Sequence, residues 1–100
     1  MAGYWIARAK IIEPEQYKKY TDRVPEILAQ YGGKVLTRGS RYETLEGPSY
    51  FDRYVVLEFE SMEAAKICFE SPEYREAAAF RRSGAGQNEL TVAEGGDATA

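Results

Sequence analysis

The order of strand-like and helix-like segments constrains the fold of this chain more than any other feature. Runs rich in β-branched and aromatic residues alternate with stretches whose apolar residues recur at helical spacing. The predicted strands cover 3–12, 34–45, 53–59 and 90–94, and the predicted helical stretches cover 14–31 and 61–82. Two right-handed crossovers in the order β-α-β-β-α-β give a four-stranded antiparallel sheet with both helices on one face. The sequence therefore predicts an α+β fold of the ferredoxin-like type.

Local signals mark where the predicted helices begin, bend and end. The first predicted helix has an apolar stripe at Tyr17, Tyr20, Val24, Ile27, Leu28 and Tyr31. Pro25 interrupts this stripe and is expected to bend the helix or to split it after Arg23, because proline lacks a backbone donor. In the second helical stretch, Ser61 is a predicted N-cap, and Ser71 followed by Pro72 is expected to start a new helix.

Chain length and glycine positions bound the domain organisation. One hundred residues are too few for two independent cores, so residues 1–95 are expected to form a single domain. Gly39 lies inside the second predicted strand and indicates a β-bulge or a close backbone approach there. Residues 96–100 are small and polar and are expected to form a flexible C-terminal tail.

One face of the predicted sheet has no helix to cover it. Alternation along the first strand places Trp5 on one face, and Tyr4, Ile6 and Arg8 on the other. The third strand adds further apolar side chains to this face, so the uncovered face carries more of them than a monomer normally exposes. A second copy packed sheet against sheet would cover them, so the pattern predicts a homodimer.

Composition excludes several classes of function. A net charge of -3 argues against nucleic-acid binding, and no apolar run approaches the roughly 18 residues of a membrane span. No signal peptide is evident at the N-terminus, so a cytoplasmic location is expected. The chain has no histidine, which removes imidazole as a base, a nucleophile partner or a haem or zinc ligand. Its one cysteine, Cys68, falls on an apolar helix stripe and is expected to be a buried, inert thiol.

Seven short motifs occur in order along nearly the whole chain, from about residue 3 to 95. They are Gly3–Ala7, Tyr31–Gly33, Arg38–Gly39, Leu45–Gly47, Val55–Phe59, Ser71–Tyr74 and Glu94–Gly95. Together they resemble the domain-of-unknown-function 1330 family of the dimeric α+β barrel superfamily. The resemblance implies a small bacterial homodimer in which two ferredoxin-like sheets form a barrel with a cavity beside each sheet.

The resemblance does not settle an activity. The family has no established reaction, whereas the wider superfamily includes cofactor-free monooxygenases, muconolactone isomerases, chlorite dismutases and haem-degrading enzymes. Relatives often carry a histidine after the Trp-Ile-Ala of the first strand, where this chain has Arg8. A reaction that uses that imidazole as a base, or a haem held by histidine, cannot apply here.

The first candidate site combines Arg8, Arg38, Tyr54 and Glu58, which are polar positions on predicted strands. If they meet in one cavity, the arginines would hold a carboxylate or enolate while Glu58 or Tyr54 moves a proton. The alternative is that Arg8 and Glu58, taken to lie on adjacent parallel strands, form a structural ion pair at the dimer interface. The sequence is compatible with both interpretations.

The second candidate site lies at the predicted start of the new helix at Ser71 and Pro72. There the free N–H groups would bind an anion, with Tyr74 at the entrance and Arg81 and Arg82 nearby. The alternative is a purely structural cap in which Tyr74 packs beneath the helix. Among the aromatics, Trp5, Tyr42, Tyr50 and Phe51 would line either a flat apolar pocket or a dimer interface.

Two hypotheses of function follow. The first is a binding protein whose cavity accepts a small apolar or aromatic carboxylate, without catalysis. The alternative is a cofactor-independent monooxygenase- or isomerase-like enzyme on a small aromatic or keto substrate. The predicted ligand-binding residues are Trp5, Arg8, Arg38, Tyr54, Glu58, Tyr74 and Arg81. No cofactor is expected, and no spacing of acidic residues or cysteine indicates a metal site.

Overall fold

The computed structural model describes residues 1–96, so the predicted tail at 96–100 lies outside the described residues except for Gly96. The strands are Gly3–Ile11 (β1), Lys34–Thr37 (β2), Arg53–Phe59 (β3) and Gly86–Glu94 (β4). The helices are Pro14–Gln30 (α1), Met62–Glu70 (α2) and Pro72–Phe80 (α3), and a turn with a positive φ at Gly84 covers Arg81–Ala85. No helix in this part of the chain is long and apolar enough to cross a bilayer.

The four strands form one antiparallel sheet in the order β2-β3-β1-β4. This arrangement confirms the predicted α+β, ferredoxin-like fold. The second strand is much shorter than predicted: it ends at Thr37 instead of residue 45. Its irregularity falls between Val35 and Thr37, so the predicted bulge at Gly39 was wrong. From residue 38 to 52 the chain leaves the sheet as a connection without helix or strand.

Pro25 does not split the first helix, which continues through it to Gln30. The proline itself is exposed, while Val24, Ile27 and Leu28 beside it are buried against the core. Burial of this stripe outweighs the loss of one backbone hydrogen bond, because most helix stability in proteins comes from packing of the apolar face.

Both predicted serine caps are confirmed. The Ser61 hydroxyl accepts a hydrogen bond from the Ala64 N–H at 3.0 Å. The buried Ser71 hydroxyl accepts one from the Tyr74 N–H at 3.2 Å and donates one to the Cys68 carbonyl at 2.7 Å. These bonds satisfy donors that a helix start leaves open, and they fix the angle at which α3 follows α2.

The core lies between the helices and one face of the sheet. Its buried residues include Trp5, Ala9, Tyr17, Tyr20, Val24, Leu28, Leu57, Phe59, Cys68, Tyr74, Ala77 and Ala78. Cys68 is a free, fully buried thiol, as predicted, and burial raises its pKa to about 11. The other face of the sheet is more open, and Ile6 at its centre is 47% exposed.

Candidate ligand-binding cavity

A narrow cavity lies between α1 and the core-facing side of the sheet. The space inside it that the centre of a water molecule can occupy is about 30 Å³, and the unfilled volume reaches about 450 Å³ only when open solvent at the mouth is counted. Its lining residues are Trp5, Ala7, Arg8, Ala9, Tyr17, Tyr20, Val24, Leu28, Arg38, Arg53, Val55, Leu57, Asn88 and Leu90. The wall is thus mostly aromatic and aliphatic, with a small number of polar groups, which is the usual character of a small-molecule site.

The space exists because β1 carries small residues where the helix passes over it. Ala7 and Ala9 line the cavity and add little bulk beneath the α1 residues Tyr17 and Tyr20. Trp5 closes one end of this row. Its ring centroid lies 5.8 Å from that of Phe59 in a stacked arrangement, and 5.1 Å edge-on from that of Tyr74. Since the indole is held by neighbouring rings, it forms a rigid part of the wall.

Two arginines give the cavity a positive charge. Arg53 begins β3, and its guanidinium lies 5.9 Å from the centre of the Tyr17 ring. Arg38 is exposed at the start of the 38–52 connection. Within residues 1–96 neither arginine forms an ion pair, and the cavity lining contains no carboxylate. The site is therefore electrostatically suited to an anion.

Tyr17 and Asn88 form a polar pair in the same wall. The Asn88 Nδ2 donates to the Tyr17 hydroxyl oxygen at 2.9 Å. The Asn88 Oδ1 is buried and has no hydrogen-bond partner among the described residues. Burial raises the pKa of Tyr17, although the Asn88 hydrogen bond partly opposes this effect. The phenol therefore stays protonated near neutral pH and retains a proton to donate.

A second polar cluster lies behind the cavity wall. The hydroxyls of Tyr20 and Tyr74 are 2.7 Å apart, and the Arg81 Nη2 donates to Tyr74 at 3.2 Å. Arg81 is only 7% exposed, and its charged carbon lies 5.1 Å from the centre of the Tyr20 ring. Burial and the neighbouring Tyr74 raise the pKa of Tyr20. Hydrogen bonds and ring faces, instead of a carboxylate, stabilise this cation within the described chain.

The structure brings some predicted site residues together and separates others. Trp5, Arg8 and Arg38 line the cavity, whereas Tyr74 and Arg81 lie behind it and connect to it through Tyr20. Tyr54 and Glu58 follow the opposite phase of β3 from the buried Leu57 and Phe59, which places them on the uncovered face. There Tyr54 and Arg8 line a separate hollow beneath the 38–52 connection.

The predicted Arg8–Glu58 ion pair was wrong, because β1 and β3 are antiparallel. In their register Arg8 faces Tyr54, and Glu58 faces Tyr4. The Arg8 Nε instead bonds Glu89 Oε1 across β4 at 2.9 Å. Its guanidinium also lies 4.2 Å from the centre of the Phe51 ring.

The remaining aromatics do not join Trp5 in one pocket. Tyr42 contacts Tyr54 with ring centroids 4.9 Å apart, and the Tyr50 hydroxyl donates to Gln87 at 2.5 Å. These contacts hold the 38–52 connection against the sheet. Neither residue lines the cavity that contains Trp5.

Sequence reasoning missed four residues of the cavity as site residues: Tyr17, Tyr20, Arg53 and Asn88. The two tyrosines were assigned to the core, although each buried hydroxyl on that stripe requires a partner. Arg53 lies on the same inward face of β3 as Val55 and Leu57. A charged residue at an inward-facing position of an otherwise apolar strand face could have indicated a binding site. Asn88 lay outside the predicted final strand and gave no signal.

The site has no metal-binding character in residues 1–96, where no group of three or more acidic residues or cysteines could hold an ion. A family model described as a domain of unknown function, DUF1330, matches residues 2–95. The chain belongs to the DUF1330 family. No curated protein matches its sequence closely enough to count as a relative.

Solved structures show how widely the fold of this DUF1330 protein recurs. A protein of unknown function from Rhodopseudomonas palustris is 22% identical, with a TM-score of 0.73 over 96% of this chain and 83% of that one. SnoaB, a cofactor-independent oxygenase from Streptomyces nogalater, is 13% identical, with a TM-score of 0.66 over 98% and 96%. A dimeric ferredoxin-like protein of unknown function from Bacteroides fragilis is 12% identical, with a TM-score of 0.64 over 94% and 96%. At these identities the likeness concerns the fold.

Proposed function

We propose that this protein binds a small apolar or aromatic carboxylate in the cavity between α1 and the sheet. The observation that carries the proposal is the pair Arg38 and Arg53, which have no ion-pair partner among residues 1–96 and lie in a wall otherwise made mainly of rings and aliphatic groups. A guanidinium binds a carboxylate through paired N–H donors, and the surrounding apolar wall buries the rest of the ligand.

The test is an NMR titration with cinnamate and with its neutral analogue cinnamamide. Trp5 is the only tryptophan, so a single indole N–H signal reports on the cavity. We expect cinnamate to shift this signal and to bind more tightly than the amide. Arg53→Ala and Arg38→Ala should each weaken cinnamate about tenfold, because a hydrogen bond to a charged group contributes about 1.5–3 kcal/mol.

Arg41→Ala is the matched control, since Arg41 is exposed on the same connection and does not line the cavity. This variant should bind cinnamate as the parent protein does. Equal affinity for cinnamate and cinnamamide, or no change of the Trp5 signal with either, would contradict the proposal.

A cofactor-independent enzyme on a small aromatic or keto substrate is the second candidate. It is favoured by the Tyr17 ring in the cavity wall, since a phenol donor stabilises a developing oxyanion. The raised pKa of Tyr17 makes this phenol a donor and not a base at neutral pH, and no carboxylate of the described chain lines the cavity. Binding therefore accounts for more of the site than proton abstraction. Recovery of unchanged ligand after incubation under air in deuterated buffer supports binding, whereas deuterated or oxygenated product supports the enzyme.

We further propose that two copies associate through the uncovered face of the sheet. Ile6 is 47% exposed at the centre of this face, with Val56 directly opposite it on β3 and Tyr4 and Tyr54 on either side. Apolar side chains in one contiguous patch favour a partner surface, and a two-fold pairing covers the patch on both copies at once. The Bacteroides fragilis protein of similar fold is itself described as dimeric.

Sedimentation velocity tests this association with two matched variants. Ile6→Glu places a charge in the patch and should raise the dimer dissociation constant at least tenfold, since burying an unpaired carboxylate costs more than about 1.4 kcal/mol. Ile67→Glu makes the same change on α2, where the isoleucine is 59% exposed, and should leave the dimer intact. A parent protein that sediments as a monomer at high concentration would overturn the proposal.

A further inference from the structure

The connection between β2 and β3 lies over one end of the uncovered face of the sheet. Its Tyr42 ring contacts the Tyr54 ring, with centroids 4.9 Å apart, and its Phe51 ring lies 4.2 Å from the Arg8 guanidinium. Arg8 and Tyr54 face each other across β1 and β3. Ile6 is two residues further along β1, on the same face. The connection therefore borders the patch through which we propose that two copies associate.

Leu45 gives this connection an unburied apolar group. Among the large apolar side chains of residues 1–96 it is the most exposed, at 88%. Tyr42, Pro48 and Tyr50 on the same segment are exposed as well. Moving an aliphatic side chain from water into an interface is favourable, and neighbouring exposed apolar groups mark interaction surfaces. The connection thus has the composition of a contact segment.

A hollow separates the connection from the sheet. It is lined by Arg8 and Tyr54 of the sheet and by residues 42–46 and Pro48 of the connection. The space in it that the centre of a water molecule can occupy is about 230 Å³, and it opens to solvent. A side chain from a second copy that packs on the adjoining patch has room to enter this hollow.

The sheet alone is small for a stable dimer. Its strands β1 to β4 contain 9, 4, 7 and 9 residues. At about 3.4 Å per residue and about 4.8 Å between strands, they project an area of about 470 Å², and the connection already covers one end of it. A stable interface buries about 800 Å² on each partner. The bordering connection is placed to supply the remainder.

The charges of the connection favour a second copy over a different partner. Arg41, Glu43 and Glu46 are exposed, and none of them forms an ion pair within residues 1–96. A two-fold pairing presents the same segment on both sides, so that a cation of one copy is able to meet a carboxylate of the other. A partner of one charge sign would leave some of these groups unmatched.

From these observations we infer that the 38–52 connection is a dimerisation arm. Leu45 of each copy packs against the second copy, and a side chain of that copy fills the hollow beside it. The inference rests on the proposed association through the Ile6 patch. It adds the segment that completes the interface.

Sedimentation velocity provides the first test. Leu45→Ala should raise the dimer dissociation constant at least tenfold, because a two-fold pair loses the burial of both Leu45 side chains. Ile67→Ala is the control, since it truncates an exposed aliphatic side chain on α2, and it should leave the dissociation constant unchanged. Both side chains are largely exposed within their own chain, so circular dichroism should show the parent fold for both variants.

NMR provides a direct test on the parent protein. In a mixture of ¹³C-labelled and unlabelled protein, an isotope-filtered experiment detects only nuclear Overhauser effects between copies. We expect such effects from the Leu45 methyl groups and from those of Ile6. The Ile67 methyl groups on the opposite layer should show none. No variant is needed, so the result is independent of how a substitution affects folding.

The outcomes separate this inference from the association beneath it. If Ile6→Glu dissociates the dimer but Leu45→Ala does not, the sheets associate without the connection and the inference is wrong. Absence of intermolecular effects at Leu45 in a dimer that shows them at Ile6 would also overturn it. If the parent protein is monomeric at high concentration, the proposed association itself fails.

Discussion

Tyr74→Ala should lower the free energy of unfolding by about 4 kcal/mol, the typical loss when a large buried ring is removed from a core. Tyr74 is fully buried, and its ring centroid lies 5.1 Å from that of Trp5 and 5.5 Å from that of Phe69. Its hydroxyl also bonds Tyr20 and Arg81. The substitution therefore opens a cavity beneath the indole and leaves a buried cation with fewer partners.

Chemical denaturation followed by circular dichroism measures this loss. Tyr74→Phe keeps the ring and removes only the hydroxyl, so it should cost about 1–3 kcal/mol, the penalty for unsatisfied buried polar groups. Tyr42→Ala is the control, because Tyr42 is 45% exposed and its loss should change stability far less. A small effect of Tyr74→Ala, comparable to that of Tyr42→Ala, would show that α3 does not anchor the core as described.

Gly86→Ala should destabilise the protein by about 2 kcal/mol, as expected for overpacking of a well-filled core. A Cβ at Gly86 would lie 2.4 Å from Cε2 and 2.7 Å from Cδ2 of the Tyr17 ring. Tyr17 is 1% exposed, so its ring has little room to move. Any displacement also disturbs the hydrogen bond between Tyr17 and Asn88.

Gly39→Ala is the matched control, since a Cβ there meets nothing within 4 Å. It should leave stability unchanged or raise it by up to about 1 kcal/mol, because alanine restricts the unfolded chain. Thermal unfolding of both variants, with the Trp5 indole signal as a second readout, checks the pair of expectations. Equal stability of Gly86→Ala and the parent protein would contradict the close packing at β4.

Local sequence signals predicted those parts of the fold that depend on local chemistry. The third strand has the predicted bounds, Arg53–Phe59, because its alternation matches a half-buried strand. The Ser61 and Ser71 caps were predicted correctly, since a serine at a helix start commonly accepts a hydrogen bond from a free backbone N–H of the first turn. The element order predicted the sheet and its layer of helices.

The errors occur where tertiary contacts decide the outcome. The final strand begins at Gly86 instead of Leu90, because pairing with β1 extends it through residues of low β-propensity. The second strand stops at Thr37 although a strand-like pattern continues, since its pairing with β3 ends at Thr37 and Val56. The predicted ion pair between Arg8 and Glu58 depended on parallel strands. The antiparallel register of β1 and β3 instead separates the two residues along the sheet.

The candidate cavity was only partly predictable for the same reason. Trp5, Arg8 and Arg38 were identified because an aromatic or a cation on a strand is a local signal. Tyr17 and Tyr20 followed the helical stripe, and a stripe does not distinguish a filled core from a core with a cavity. Asn88 acquires its role only through register with Ala9, which no local pattern in the sequence specifies.

The connection at 38–52 has a consequence for how this protein diversifies. Residues 38–50 are all exposed, and the segment rejoins the core through the buried Phe51 and through Asp52, whose N–H bonds the Ala9 carbonyl. The entropy of closing such a loop rises only slowly with its length. Insertions, deletions and charge changes between these anchors should therefore spare the sheet and helices. Arg38, the first residue of this segment, lines the cavity. Sequence changes in the segment should therefore alter which ligands bind while the sheet and helices stay the same.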